Sequence, residues 1–395
     1  MRTRTRAWTD RILYHSARSM LGRSLILGIL SFVLSIPTPA RAAPIRVLLL
    51  QNLPTFSISV PPDYAILTQP AGLFPVDVNH WRVFQAQAST RNIHIPEHGI
   101  DVEELRLVPR TKDAVIYAGG KMYRGSLEVK GGAPGLMVVN TLDIEEYLYG
   151  VVAKEAPSQW EMAALRAQAI VARTYALYKR TRQANRDYDV AALYIRDQHY
   201  EGYGAEHPRT TQAVNDTKGL VLTCYGELIP AYYHAESAGY TENSEHVWSS
   251  AHPCLRAVKA PMHPASPYLQ WSASVSLQDM RAALIKQGYA VGPIRHLEPV
   301  ERSATGRIMQ LKISHKAGET VMRGTDFRLA LGPEVIRSTL FTVQIRDGRA
   351  LFNGQGWGHG VGLCQWCSQG MAELGYDYEA ILTHYYQGAK LSHYQ

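Results

Sequence analysis

The sequence lacks internal repeats, low-complexity tracts and any large excess of charge beyond its first 42 residues. Only 19% of the 395 residues are charged and 46% are hydrophobic, which argues against an intrinsically disordered chain. The formal net charge of +7 is concentrated in residues 1–42, which contain seven arginines and one acidic residue. The rest of the chain has a net charge of +1, so we predict no nucleic-acid partner.

Long apolar runs are also missing. The run at residues 24–36 has 13 residues, whereas a helix needs about 20 to span a bilayer. An arginine-rich segment precedes this run, and small residues follow it at 40–42, which is the order of an export signal with a cleavage site. We therefore predict a signal peptide at 1–42 and an exported protein in the periplasm or cell envelope. An uncleaved leader would be its only attachment to a membrane.

Cysteine is scarce, because the chain contains only Cys224, Cys254, Cys364 and Cys367. Four cysteines allow three pairings in an oxidising compartment. A bridge from Cys224 to Cys254 would close a loop of about 30 residues and stabilise the fold by roughly 3–4 kcal/mol. The spacing of Cys364 and Cys367 is that of half a zinc site or a redox pair, but no second such pair exists. Buried thiols or a local disulfide are the favoured interpretation.

The order of apolar patterns predicts an α+β fold, with one domain at 43–395 after the leader. Short alternating segments indicate a β-rich part at about 43–140, and a helical core follows at about 141–185. A mixed insert is predicted at about 270–350, and a glycine loop and helices at 351–395. We expect the β-rich part and the insert to surround a buried helix pair.

The first helix of this pair has a carboxylate at the end of an apolar stripe. The stripe consists of Ile144, Leu148, Val151 and Val152. Glu155 is the next residue on that face, and Pro157 ends the helix directly after it. Burial there would raise the pKa of Glu155, as a general acid near neutral pH requires. The pattern alone slightly favours the other interpretation, a solvated last turn.

The second helix is predicted to be buried on most sides. Ser158 and Glu161 have the spacing of a capping box, and the run at 162–178 is apolar around most of its circumference. Gln168 and Arg173 interrupt this run and must find polar partners. The structural interpretation, in which an arginine neutralises a buried acid, is favoured for both on pattern alone.

A glycine-rich loop at 354–362 has glycine at every second position. It is not a phosphate-binding loop, because no Gly-Lys-Ser/Thr follows it. Glycine at these positions allows a positive φ or a close approach of the backbone. Between the glycines, Trp357 offers a flat face for a sugar ring and His359 a group that donates or accepts near neutral pH. We expect Glu155 and this loop to line a substrate cleft.

Six blocks of the sequence resemble the SpoIID/LytB family of cell-wall proteins: residues 140–157, 164–176, 197–202, 231–248, 356–365 and 384–388. The resemblance implies activity on peptidoglycan. Sporulation members resemble lytic transglycosylases, which cut the MurNAc–GlcNAc bond without water in strands whose stem peptides have been removed. An amidase that removes those peptides is the implied partner. The family's catalytic glutamate falls on Glu155, where the helix pattern also indicated an acid.

The resemblance implies that Glu155 protonates the glycosidic oxygen and then deprotonates the MurNAc 6-hydroxyl, which closes onto C1 to give 1,6-anhydroMurNAc. One carboxylate suffices for this reaction, unlike in ordinary glycosidases. The candidate substrate-binding residues are Gln168, Arg173, Gln198, His234, Trp357, His359, Gln365 and Tyr385.

The sequence departs from the family where some members bind zinc. His234 is present as a candidate ligand, but Ser237 stands where a cysteine is common, so we predict no cofactor. Two alternatives to the transglycosylase remain open at this point. One is a non-catalytic wall-binding module that stimulates an N-acetylmuramoyl-L-alanine amidase. The other is a zinc hydrolase built on His234, His246 and the cysteines.

Overall fold

The structure is a computed structural model, and it describes residues 44–71, 82–184, 186–248 and 250–394. The predicted signal peptide at 1–42 lies outside these residues. Among the described residues, no helix has the length and apolar character that crossing a membrane requires. Helices and small sheets alternate irregularly along the chain, which confirms the predicted α+β class.

The N-terminal part forms two six-stranded sheets. Its strands are β1 (Pro44–Leu53), β2 (Thr55–Val60), β3 (Tyr64–Gln69), β4 (Arg82–Ala88), β5 (Ile93–Ile95), β6 (Ile100–Val102), β7 (Glu104–Pro109), β8 (Val115–Ala118), β9 (Lys121–Arg124), β10 (Ser126–Lys130) and β11 (Leu136–Asp143). The first sheet has the order β12-β1-β11-β10-β7-β3, where β12 is Val190–Ala191, and the second β6-β5-β4-β2-β8-β9. Alternate residues of these strands point into one apolar core, as the alternation of apolar residues in the sequence predicts.

The helix pair consists of α1 (Ile144–Glu155) and α2 (Met162–Arg182). The first helix ends at Glu155 as predicted, because the next residue is extended ahead of a proline. The predicted cap of α2 is wrong. The helix begins at Met162, and the Glu161 amide donates to Gln369 at 2.9 Å instead of to Ser158. The residues just before the helix form a separate turn instead, which is closed by the hydrogen bond from the Trp160 amide to the Pro157 carbonyl oxygen.

Most of α2 is buried, and it packs against helices and strands from distant parts of the chain. The next elements are a 3₁₀ turn (Tyr203–Ala205), α3 (Pro208–Asp216), β13 (Leu220–Cys224), β14 (Glu227–Leu228), β15 (Tyr233–His234) and α4 (Ser244–Trp248). The elements β13 and β14 form a hairpin that turns at Tyr225 and Gly226, both with positive φ. A disulfide from Cys224 to Cys254 ties the end of β13 to the loop after α4.

The mixed insert has its own apolar core. It contains β16 (Trp271–Ser276), α5 (Leu277–Lys286), β17 (Ile294–Arg302), β18 (Ile308–His315), β19 (Gly318–Arg323), α6 (Gly324–Leu331), β20 (Phe341–Arg346) and β21 (Arg349–Gly354). Two three-stranded antiparallel sheets, β16-β21-β20 and β17-β18-β19, enclose this core with the two helices.

The C-terminal part begins with the glycine loop and returns to the helix pair. It contains β22 (Leu363–Cys364), α7 (Gln365–Glu373), α8 (Tyr378–Tyr385) and β23 (Lys390–His393). Short β22 pairs in parallel with β15, which brings the start of α7 beside the end of α1. A second disulfide joins Cys364 to Cys367 across the first turn of α7, so the two disulfides together make one of the three pairings that four cysteines allow.

Candidate active site

A cleft of about 1290 Å³ is lined by segments from four parts of the chain. These segments are the end of α1, the loop before the 3₁₀ turn, the residues around β15 and α4, and the glycine loop with the start of α7. The insert contributes a further wall through α6 and the loop after it. The short parallel pairing of β15 with β22 holds the α4 side and the glycine loop together.

Glu155 lies in this cleft with its carboxylate held by protein donors. The His199 amide donates to Oε1 at 2.8 Å, and Gln365 Nε2 lies 3.4 Å from Oε2. The same Gln365 nitrogen donates to the Glu155 carbonyl at 3.0 Å and so satisfies the end of α1. Burial raises the pKa of Glu155 above its ordinary value, although hydrogen bonds from His199, Tyr233 and Gln365 act in the opposite direction.

A layer of buried polar residues positions these donors. Gln198 is fully buried, accepts a hydrogen bond from the Tyr147 hydroxyl at 3.1 Å and donates to the Tyr233 hydroxyl at 3.2 Å. The Tyr233 hydroxyl therefore keeps its own hydrogen for the Glu155 carboxylate. Gln168 lies behind Gln365, whose Nε2 is 3.4 Å from the Gln168 Oε1.

The glycine loop takes a backbone path that other residues would resist. Gly356, Gly358, Gly360 and Gly362 all have positive φ. A Cβ on Gly358 would lie 2.5 Å from the His234 Cβ, and one on Gly362 would lie 2.0 Å from the Tyr232 carbonyl oxygen. Glycine is therefore required by the close approach of this loop to β15.

His359 is held neutral at the tip of this loop. Its Nδ1 accepts from the Val361 amide at 3.1 Å, so its proton lies on Nε2. Burial, and then the positive charges of Arg328 and Arg307, lower the pKa of His359 to about 3. Its ring lies 4.9 Å from that of Trp248, which stacks on Tyr232 at 4.0 Å. This aromatic pair forms an apolar side of the cleft.

Trp357 lines the cleft but does not present two open faces. The Arg337 guanidinium lies over its ring at 4.8 Å, and the Tyr268 ring packs perpendicular to it with the two ring centroids 4.7 Å apart. Trp248, which the sequence did not single out, has 38% of its surface exposed in the same cleft. Its place within the block at 231–248 is the signal that could have identified it.

The residues around His234 do not fit a zinc site. Its Nε2 lies 2.7 Å from the Ser237 hydroxyl and its Nδ1 lies 3.2 Å from the Val361 carbonyl oxygen, so both ring nitrogens have partners. Burial lowers the pKa of His234 well below its ordinary value. Glu236 lies close to Cys364 and Cys367, but these sulfurs are joined to each other and offer no thiolate.

Two candidate residues lie away from the cleft, which corrects their predicted role in substrate binding. Arg173 is fully buried and makes a 2.6 Å ion pair with Glu145 on α1. It lies five residues after Gln168, which is about 140° around the helix, so the two side chains leave α2 on different sides. Tyr385 is fully buried in the core between α2, α7 and α8.

The other candidates lie in the cleft or directly behind it. Glu155, His234, Trp357, His359 and Gln365 line the cleft, whereas Gln168 and Gln198 lie one layer behind it. Tyr233 and His199 contact Glu155 directly and were missed by sequence reasoning. Both fall inside the blocks at 197–202 and 231–248, but nothing in their local pattern marks them as partners of a carboxylate.

Known proteins resemble this chain over most of its length. Residues 133–224 match a family described as stage II sporulation protein, and residues 252–362 match a domain of unknown function. The chain is 32% identical to the Stage II sporulation protein D of Bacillus amyloliquefaciens over 271 residues, which cover 64% of this chain and 75% of that protein. It is 28% identical to the Bacillus subtilis protein of the same name, over 76% of this chain and 88% of that protein. It is also 28% identical to the Amidase enhancer of Bacillus subtilis, over 62% of this chain and 40% of that protein.

Proposed function

The chain belongs to the family of stage II sporulation protein D, and on this premise we propose that it is a lytic transglycosylase acting on peptidoglycan. The observation that carries the proposal is the position of Glu155 in the cleft together with its raised pKa. This carboxyl group lies in a large cleft, its pKa is raised by burial, and three donors hold it in place. A carboxylic acid that stays protonated nearer to neutral pH is what protonation of a glycosidic oxygen requires.

In the proposed reaction Glu155 acts first as an acid and then as a base. We assign the acidic proton to Oε2, because Oε1 accepts the shorter hydrogen bond, from the His199 amide at 2.8 Å, whereas Gln365 Nε2 lies 3.4 Å from Oε2. This proton passes to the glycosidic oxygen between MurNAc and GlcNAc. The bond from C1 of MurNAc to this oxygen breaks, and the GlcNAc end leaves as an alcohol. The MurNAc 6-hydroxyl then attacks C1 while the Glu155 carboxylate takes its proton. The product is 1,6-anhydroMurNAc, and Glu155 is again protonated.

The surroundings of Glu155 suit both halves of this cycle. The donors His199, Tyr233 and Gln365 stabilise the carboxylate after it has lost its proton, while burial favours its neutral form beforehand. His359 stays neutral at any ordinary assay pH because its pKa is lowered to about 3. It therefore adds no positive charge beside the oxocarbenium ion that develops at C1.

The proposed setting is the periplasm or cell envelope, reached through the leader at 1–42. The proposed substrate is a glycan strand whose stem peptides have been removed by an amidase. The aromatic pair of Tyr232 and Trp248 offers an apolar surface on which a sugar ring can pack.

Digestion of purified glycan strands without stem peptides tests the proposal. The mature protein should release fragments that end in 1,6-anhydroMurNAc, identified by mass spectrometry, and Glu155→Gln should release none. The matched control is Glu227→Gln, which makes the same change at an exposed position on β14 outside the cleft. Absence of anhydro ends with the wild type, or full activity of Glu155→Gln, would refute the assignment.

The relative named Amidase enhancer favours a second candidate, a wall-binding module that stimulates an N-acetylmuramoyl-L-alanine amidase. This function requires no chemistry at Glu155. Release of stem peptides by a purified amidase should then rise on addition of either the wild type or Glu155→Gln. Stimulation that survives the substitution, together with an absence of anhydro ends, selects this second function over the first.

A further inference from the structure

Five basic side chains line the cleft: Lys154, Lys179, Arg196, Arg323 and Arg328. Two of these are neutralised by neighbouring acids, since Lys154 pairs with Glu201 at 3.1 Å and Lys179 with Asp197 at 2.8 Å. Arg323 donates to the backbone carbonyl oxygens of α4. Both Nη atoms of Arg196 donate to the side-chain oxygen of Gln51 at 3.0 Å when that amide is oriented to accept them. Arg328 has no such partner for its charge, because no acidic side chain of the described residues forms an ion pair with it.

Arg328 lies on α6, in the region that matches a domain of unknown function. Its Nε donates to the Arg337 carbonyl oxygen at 3.1 Å, which fixes the plane of the guanidinium group. Among the described residues no group bonds to its Nη1 or Nη2 atoms, although the side chain lines the cleft. An oriented pair of parallel N–H donors is the arrangement that binds a carboxylate in a bidentate manner.

The electrostatic setting also leaves this site ready for an anion. Burial, and then the charge of Arg307, lower the pKa of Arg328 to about 10, so the group keeps its charge at neutral pH without full compensation. Glu334 is close enough to raise that pKa, but its carboxylate accepts a hydrogen bond from Tyr194 and makes no ion pair with Arg328. A partly buried cation that no carboxylate contacts directly is stabilised when a ligand supplies that contact.

The chemistry of the proposed substrate supplies one carboxylate in each disaccharide. In an intact strand the lactyl group of MurNAc is joined to the stem peptide through a neutral amide. Hydrolysis of that amide leaves a lactyl carboxylate, which is the one charged group of a denuded strand. A site that binds this carboxylate would distinguish a denuded strand from an intact one by charge as well as by size.

We propose that Arg328 binds the lactyl carboxylate of denuded MurNAc through Nη1 and Nη2, and that the insert thereby selects strands without stem peptides. This inference rests on the proposed function for the identity of the ligand. It assigns a binding role to a residue outside the six sequence blocks that resemble the cell-wall family. Arg328 is a specificity-determining residue and takes no part in proton transfer.

Binding by a protein that does not turn over tests this inference separately from catalysis. The mature Glu155→Gln protein is titrated with denuded strands, and with the same strands after their carboxylates have been converted to neutral methylamides. Addition of Arg328→Gln should weaken binding of the carboxylate strands by roughly 10- to 100-fold, the range for hydrogen bonds to charged groups. Binding of the methylamide strands should change by less than about twofold, because the removed interaction is already absent.

Arg295→Gln provides the matched control, because it removes the same charge from an exposed position on β17 of the insert. It should leave both affinities unchanged. Arg328→Lys keeps the charge but lacks the planar fork, so it should weaken carboxylate binding less than Arg328→Gln and serves if the latter fails to fold. Equal binding of the two strands, equal weakening of both, or no binding at all overturns the inference. Because this assay measures no turnover, it is independent of the digest: carboxylate-selective binding here, together with an absence of anhydro ends from the wild-type protein, would refute the transglycosylase while retaining this site.

Discussion

Replacement of Arg173 with leucine tests whether this residue holds the fold together or serves the cleft. The Arg173 guanidinium donates to Glu145 at 2.9 and 2.6 Å and to the Leu220 and Val214 carbonyl oxygens at 3.0 and 3.2 Å. The Arg173 and Glu145 side chains retain only 1% and 7% of their exposure. Loss of the arginine would therefore leave the Glu145 carboxylate buried without its cation, a change that costs about 3–5 kcal/mol.

This cost converts into a measurable change in melting temperature. The entropy of unfolding is about 2.1 cal/mol/K per residue, or roughly 0.7 kcal/mol/K for a folded part of about 350 residues. Arg173→Leu should therefore lower Tm by about 4–7 °C in thermal unfolding followed by circular dichroism. The double variant Glu145→Leu/Arg173→Leu should recover much of this loss, because it removes the unpaired buried charge as well.

The activity of the folded fraction separates the two roles of Arg173. Below the transition, a purely structural residue should leave KM for denuded strands unchanged within about twofold. The reasoning is refuted if Arg173→Leu unfolds at the wild-type temperature. It is also refuted if the double variant loses more stability than the two single variants lose together. A raised KM in a fully folded variant would instead support the predicted role of Arg173 in substrate binding.

Three further predictions concern the cleft and the loop behind it. Because burial raises the pKa of Glu155, activity should fall as pH rises through that raised value. Tyr233→Phe removes a hydrogen bond that lowers the pKa of Glu155, so it should move this fall to higher pH. A fall at the same pH in the kcat/KM profiles of the variant and the wild type contradicts this. Gly358→Ala should lower thermal stability more than Gly226→Ala, since both glycines have positive φ but only at Gly358 would a Cβ meet another residue, at 2.5 Å from the His234 Cβ; equal melting temperatures contradict this. Conversion of Cys224 and Cys254 to serine should lower the free energy of unfolding in denaturant by roughly 3–4 kcal/mol, since the bridge spans 30 residues, while kcat stays unchanged; an unchanged midpoint contradicts this.

The parts of the site that the sequence predicts are those fixed by local physics. The position of Glu155 follows from an apolar helical stripe and from the proline two residues later, and the helix ends there. Four of the five glycines of the loop likewise have the positive φ that their spacing indicated. The failures occur where a distant partner replaces a local one. Ser158 has the spacing of a helix cap, but the amide it should satisfy is taken by Gln369, which lies 208 residues away in sequence from Glu161.

The difference between local patterns and distant partners also explains why the sequence did not identify Arg328 as a binding residue. An arginine on a short helix of an insert has no local pattern that separates a solvated charge from a binding group. Its role depends on the position of α6 in the wall of the cleft, and on the absence of an ion-pair partner for its guanidinium among the described residues. The net charge of the chain is therefore a poor guide to the ligand that its cleft binds. A net charge of +1 outside residues 1–42 argues against a nucleic-acid surface, yet it permits one oriented cation in a cleft to bind one carboxylate per disaccharide.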